Sequence, residues 1–307
     1  MKDAEVNAMT PWEYAQYLQD RYATVESFQT EMCDVLTATL LGSLPDEHRK
    51  SLQDVPIIVL PIGQVNAMCI KVPGGGSVVA INFGLMSYFT FLNKLVLCRL
   101  NKYGFEPTLD LRASAEMGNT TTVQLLLNNR VNFPRWPVSP KRSLIASALG
   151  SAQVAFIVGH ELAHLLLGHL ESNRDTATFA LKGLDINTAS YRKHHELEFA
   201  SDRRAAEIAI QYFTRAYDPL FGSNEPAYAQ AGVDMVFSYF EYIYSIMTLM
   251  TGEEPQYDTH PPSTLRRQKL REFMWNKMPE TSRELATSVE AIMNSFKSSF
   301  KSSKRDV

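Results

Sequence analysis

Residues 159–169 read GHELAHLLLGH, with two histidines four apart and a glutamate directly after the first. In a helix, positions i and i+4 share a face, so His160 and His164 can aim both imidazoles at one ion. Zinc takes nitrogen ligands at about 2.0–2.1 Å, and hydrolytic centres keep one of its positions open for water. Glu161 stands one residue round from His160, near enough to act on that water as general base without binding the metal. The competing interpretation is an apolar core helix whose histidines are capped or solvated. That interpretation predicts nothing about the rest of the chain, whereas a metal site predicts a third protein ligand elsewhere.

A glycine and third histidine at the fixed offsets of one such pattern are excluded, because Leu167 and Leu170 occupy those places. Gly168 and His169 are each one step out of register, and His169 reads as a helix C-terminal residue favoured by the macrodipole. The better source is HHELEFASDRRAAEIA, residues 194–209. Glu198 and Asp202 share one helical face there with Ala205, Ala206 and Ala209. Small residues allow close approach to another helix, and carboxylates on an approaching face need a positive partner. Glu198 is therefore assigned as third ligand and Asp202 as the acceptor that orients a ligand imidazole. The alternative is a solvated acidic face paired with Arg203 and Arg204. His194, His195 and Glu196 are rival ligands at the exposed start of the helix.

These residues need long helices to hold them. At 307 residues the chain is long enough for a sizeable core, with 45% hydrophobic and 21% charged residues. A formal charge of -3 gives no reason to expect nucleic acid or an anionic membrane as partner. Three scattered cysteines, none in a C-x-x-C pair, argue against a disulfide framework and fit a reducing compartment. The acidic N-terminus has no secretory signal pattern. The apolar stretches 144–168 and 233–250 carry Gln153, His160, Glu161 and His164, and Asp234 and Glu241, which suits buried core helices better than membrane spans. A soluble, cytoplasmic protein with no integral membrane association is expected.

The periodicity predicts helices over 11–43 and about 46–53, then strands at 55–61, 65–72 and 78–84, the last two as a hairpin about PGGGS. Helix resumes to about 103. Residues 104–142 mix a short helix with a Pro-rich exposed connection. Ser143 is expected to cap a helix running to about 170. Further helices are expected over about 192–217, 226–251, 262–278 and 281–300. The basic tail SFKSSFKSSKRDV reads as a loosely packed helix end that frays, with Phe296 and Phe300 four apart as the only hint of docking. The class is α+β and mostly helical, with a small sheet packed on the motif helix.

HELAH followed by ELEFASDRRA resembles the gluzincin metallopeptidases of the CaaX-prenyl-protease and HtpX type, whose second motif is close to E-x-x-A-D. Here Ser201 stands where alanine is usual. Residues 65–85, with an Asn-Ala before the glycine turn, and the late His-Pro segment 257–270 are similar to further family segments. Together they cover about half of the chain, and the membrane spans of many family members are missing. A weaker likeness is to a soluble phage-exclusion peptidase sharing the five-residue motif.

The resemblance implies a zincin-like metallopeptidase core over 55–280, with an unassigned insertion at about 86–142. N-terminal helices over 1–54 would precede it, and a C-terminal helix with basic tail over 281–307 would follow. It implies that one Zn2+ is bound by His160, His164 and Glu198, that Glu161 activates water, and that His260 stands near the metal to stabilise an oxyanion. Without the resemblance, His260 reads as a turn residue before Pro261 and Pro262. Arg266 or Arg267 would brace the site. A polypeptide substrate would lie along an unpaired edge of strand 78–83, and an activating or inhibiting protein partner is compatible with the same site. The implied activity is that of a zinc-dependent endopeptidase. The alternatives are an amidase on a small substrate and a catalytically silent, zinc-clasped regulatory protein.

Overall fold

The computed structural model describes residues 8–22, 40–42, 44–100, 108–128, 133–134, 138–169, 178–180, 191–221, 225–253 and 260–303. Nine α-helices, one short 3-10 helix (Trp275–Lys277) and four strands are given ranges among them, the α-helices and strands in the order α1 (Pro11–Tyr22), α2 (Asp46–Leu52), β1 (Ile57–Leu60), β2 (Asn66–Lys71), β3 (Ser77–Asn82), α3 (Phe83–Leu97), α4 (Leu111–Asn128), α5 (Pro140–Leu166), β4 (Thr178–Ala180), α6 (Tyr191–Phe221), α7 (Glu225–Thr251), α8 (Ser263–Met274) and α9 (Glu280–Ser303). The protein is thus α+β and mostly helical. Residues 23–39 of the expected first helix, and 304–307 of the tail, lie outside the described residues.

The sheet has the order β1-β3-β2-β4. β2 and β3 form the expected antiparallel hairpin, with Cys69 opposite Val79. β1 runs parallel to β3, pairing Ile57 with Val79 and Leu60 with Asn82. Strand side chains alternate between faces, and here both faces are covered. Ile57, Val59, Ala67, Cys69, Val79 and Ile81 join the main helical core. Ile58, Leu60, Val78 and Ala80 meet Ala15 and Leu18 of α1 on the other side.

One expectation is overturned here. β3 is held by β1 on one side and β2 on the other, so strand 78–83 has no unpaired edge to offer a peptide. Every residue of β3 is buried. Its run Val78–Ile81 is continuously apolar, the pattern of a strand covered on both faces, rather than the alternation of a half-solvated one.

The motif helix α5 is the centre of the molecule. It packs on α3, α6 and α7 and on strands β2 and β3. It is the one described helix long and apolar enough to cross a membrane, and most of it is buried inside the protein. Gln153, halfway along it, exchanges two hydrogen bonds with Asn93 of α3: Asn93 Nδ2 donates to Gln153 Oε1 at 2.8 Å, and Gln153 Nε2 donates to Asn93 Oδ1 at 3.2 Å. Tyr239 of α7 donates its hydroxyl to the same Asn93 oxygen at 2.8 Å. Three helices are pinned by one buried network whose polar groups answer one another.

The cap of α5 is Ser139, which accepts from Arg142 N at 3.4 Å, and not Ser143. Pro140 fills the first helical position, where its fixed φ suits the helix and its missing N–H is no loss. The Ser-Pro pair reads as a connection in sequence but here starts the helix.

Residues 111–128 form an 18-residue helix where only a short one was expected within 104–142. Asp110 caps it, accepting from Ala113 N at 2.8 Å. Packing then overrides the low helix propensity of threonine: Thr122 meets the Tyr88 hydroxyl at 2.7 Å, and Asn119 accepts from Tyr242 at 2.8 Å. The same Asn119 donates to the Phe296 carbonyl of α9 at 3.2 Å.

That contact corrects the expectation of a frayed tail. α9 continues to Ser303, Phe296 is wholly buried beside Tyr242, and Phe300 packs on the core as well. Phe296→Ala should therefore destabilise the protein by about 3–5 kcal/mol, read as a shift in the urea unfolding midpoint. A change below about 1 kcal/mol would mean the helix does not dock.

Candidate metal centre

α5 and α6 come together on glycine and alanine. A Cβ placed on Gly159 would lie 3.4 Å from the Ala205 Cα and 3.3 Å from Ile208 Cγ2, so the helix backbones are nearly in contact. The next residue on α5 is His160. Facing it from α6 are Glu198 and Asp202, seven and three residues before Ala205 on the same helical face. Small residues at the crossing thus bring two carboxylates against two imidazoles, as the alanine pattern of α6 led us to expect.

All of these groups are buried: His160, Glu161, His164, Glu198 and Asp202 are each at most 5% exposed. His160, His164 and Glu198 offer ligand atoms all within 4.8 Å of one another and could hold a metal ion. His160 Nε2 is 3.1 Å from His164 Nε2 and 3.4 Å from Glu198 Oε2, while His164 Nε2 is 3.4 Å from Glu198 Oε1. Ligand bonds of about 2.0–2.1 Å in a tetrahedral arrangement place donor atoms about 3.3–3.4 Å apart. The two imidazole nitrogens stand close to that spacing, and each faces a different oxygen of the Glu198 carboxylate, so the three side chains converge on a space that could hold one ion.

Charge balance points the same way. Three buried carboxylates, of Glu161, Glu198 and Asp202, share the site with one buried guanidinium, that of Arg266. An ion bound through the imidazoles would find them neutral, and the carboxylates would then exceed the guanidinium in charge, which a divalent cation could neutralise. Both oxygens of Glu161 are buried without a hydrogen bond among the described residues.

The titration behaviour follows from this crowding. Burial pushes the Glu161 carboxyl up, to about 7, against the lowering effect of His160. Burial likewise lowers His164 to about 4, more than Glu198 restores. Burial works against a charged His160 too, but Asp202 and Glu198 outweigh it and raise that imidazole to about 9. Burial opposes the charge on Glu198, yet His260 and the two ligand imidazoles hold it well below the usual carboxylate range. A carboxyl that titrates near neutrality, as Glu161 does, suits a group that takes up and returns a proton.

Asp202 sits behind the first ligand, with its Oδ1 3.0 Å from His160 Nδ1. A proton held on Nδ1 by that carboxylate leaves the Nε2 lone pair facing the donor cluster. Arg266 of α8 grips Asp202 with two bonds, Nε to Oδ2 at 2.8 Å and Nη2 to Oδ1 at 2.5 Å. Its guanidinium also lies over the Phe237 ring at 5.3 Å.

The neighbouring Arg267 points elsewhere. It reaches Asp234 at 3.3 Å, Glu241 at 3.5 Å and Glu290. Arg271 shares Asp234 through bonds of 2.6 and 2.8 Å. Adjacent residues on a helix diverge by about 100°, so only Arg266 supports the metal centre. His260 places its Nδ1 2.9 Å from Glu198 Oε2. It lies beside the donors without belonging to them.

The rival residues do not converge. Glu196 is exposed, and His195 packs edge-on toward Phe199 with ring centroids 6.4 Å apart. His194 lies outside the residues whose side chains are described. Arg203 is exposed and Arg204 pairs with Glu207 at 2.7 Å, so neither neutralises Glu198 or Asp202.

Two residues that sequence reasoning set aside do reach the site. His169 Nδ1 is 3.0 Å from His164 Nδ1, and Ser201 Oγ is 3.4 Å from that same atom. The signal for His169 was Gly168, a glycine directly after an apolar helical run. Comparison with family models, curated proteins and solved structures yields no match for this chain.

Two tests address this geometry. Arg266→Ala removes the guanidinium that pairs with buried Asp202 and leaves it only His160 among the contacts described. It should cost about 3–5 kcal/mol and drop metal content well below one ion per chain, whereas Arg267→Ala should leave metal content unchanged. Ala205→Leu wedges the helix crossing, with an expected loss of about 1–3 kcal/mol and weakened metal uptake; elemental analysis beside urea unfolding reads both effects.

Proposed function

We propose that the protein is a zinc-dependent endopeptidase with a zincin-like core, hydrolysing peptide bonds of a protein substrate. The observation that carries this reading is the convergence of His160, His164 and Glu198, with donor atoms within 4.8 Å of one another, beside the buried carboxylate of Glu161. Two imidazoles and a carboxylate are a donor set that suits zinc. Structural zinc sites are closed by four protein ligands, and no fourth donor joins the group among the described residues. This favours hydrolysis over a silent clasp.

Zinc held there supplies Lewis acidity, acidifying a water and polarising a carbonyl. Glu161 accepts the proton of the attacking water and returns it to the leaving amine. Its burial against β2 near Cys69 keeps bulk water from competing for it. Asp202 and Arg266 hold His160 in the tautomer and orientation that binding needs. His260, poised beside Glu198, donates to the oxygen on which negative charge develops.

With β3 paired on both sides, an extended polypeptide would align on the outer edge of β4, the terminal strand of the sheet, which packs beside α5. The likeness of HELAH, EFASD and the late His-Pro segment to gluzincin peptidases supports the same assignment.

Glu161→Gln should retain about one zinc per chain and lose cleavage by at least about 100-fold. A search for new protein termini in a proteome treated with wild type or Glu161→Gln tests the substrate class. Equal sets of termini from the two proteins would refute the endopeptidase reading, and hydrolysis confined to small amides would replace it with the amidase reading.

A further inference from the structure

The two ligand imidazoles are supported in different ways. A histidine that binds metal through Nε2 must carry its proton on Nδ1, and that N–H needs an acceptor behind it. For His160 the acceptor is the Asp202 carboxylate at 3.0 Å. His164 turns its Nε2 to the donor cluster in the same manner, 3.1 Å from His160 Nε2. Behind it stand His169 Nδ1 at 3.0 Å and Ser201 Oγ at 3.4 Å, themselves 3.3 Å apart.

Both of these groups are placed by the backbone. Leu167 ends α5, and Gly168 takes a φ of 67°, the left-handed conformation that lets the chain reverse. Gly168 N then bonds Leu165 O at 3.1 Å, and His169 N bonds the carbonyl of His164 itself at 2.9 Å. This is the paired closure of a glycine-terminated helix. It returns the residue after the glycine to the turn that holds His164. Ser201 comes from α6, three residues after Glu198 and directly before Asp202, and is wholly buried. One face of α6 therefore delivers a ligand from 198, an acceptor behind His164 from 201, and an acceptor behind His160 from 202.

We infer that His169 and Ser201 are positioning residues, which fix the tautomer and ring plane of His164 for metal binding through neutral acceptors. His169 accepts the His164 Nδ1–H on its own Nδ1, and so carries its proton on Nε2. Ser201 Oγ offers a second acceptor beside it. Neutral backing gives His164 a weaker push of electron density than Asp202 gives His160, so the metal keeps more of its Lewis acidity. The serine at 201, where the resembled family usually has alanine, acquires a role by this account.

The inference rests on the metal-binding reading, and the test separates the two. Zinc affinity is measured by competition with a chromophoric chelator for wild type, His169→Phe, His169→Asn and Ser201→Ala, with folding checked by circular dichroism. His169→Phe keeps a ring and removes the acceptor; His169→Asn keeps an acceptor atom near the place of Nδ1. Loss of about 10–100-fold in affinity is expected for His169→Phe, with substantial recovery in His169→Asn and a smaller loss in Ser201→Ala. Nitrogen-15 spectra of the zinc-loaded protein should show His164 as a single Nδ1-protonated tautomer in wild type and an exchange-broadened Nδ1–H in His169→Phe. Equal losses in the Phe and Asn variants, or wild-type affinity in both, would overturn the positioning role while leaving the metal centre intact. Failure of wild type itself to bind zinc would instead remove the reading beneath it.

Discussion

The near contact of Gly159 with Ala205 is the constraint on which the rest of this structure depends. Two helix backbones can come this close only where no side chain separates them, and the approach carries Glu198, Ser201 and Asp202 into the space around His160 and His164. Buried carboxylates would be strongly unfavourable there without compensation. Arg266 answers Asp202, His260 stands against Glu198, and His160, His164 and Glu198 form a group that could hold a metal ion. Helix packing and site chemistry are thus two consequences of one crossing.

Elsewhere two buried polar networks tie the helices together. Asn93, Gln153 and Tyr239 close a network among α3, α5 and α7, and Asn119 joins α4, α7 and α9. These bonds fix where α5 lies, and therefore where its histidines point. Glu161 differs: it occupies the same buried helix with neither oxygen hydrogen-bonded among the described residues.

Much of the fold was legible because its signals are local. The hairpin of β2 and β3 follows from two β-branched runs about a glycine turn, and α7 from an apolar run bounded as its sequence suggests. What was misjudged depended on partners distant in sequence. The threonine-rich α4 is a full helix because Tyr88, Tyr242 and α9 bind its polar side chains. Phe296 docks because Tyr242 offers a ring to meet it. β3 is interior because β1, some twenty residues earlier, pairs with it in parallel, a contact no local pattern announces.

The sequence by itself determined which side chains can act: the i and i+4 histidines, the glutamate between them, and a second helix with carboxylates beside small residues. Helical periodicity is a property of the chain alone, so faces and their donors can be read directly. Tertiary structure decided which neighbours complete them. It selected Arg266 over Arg267, because α8 turns only one of two adjacent side chains toward Asp202. It also brought His169 behind His164 through a reversal at Gly168. Such choices turn on ångström distances between separate elements, which residue order does not encode locally.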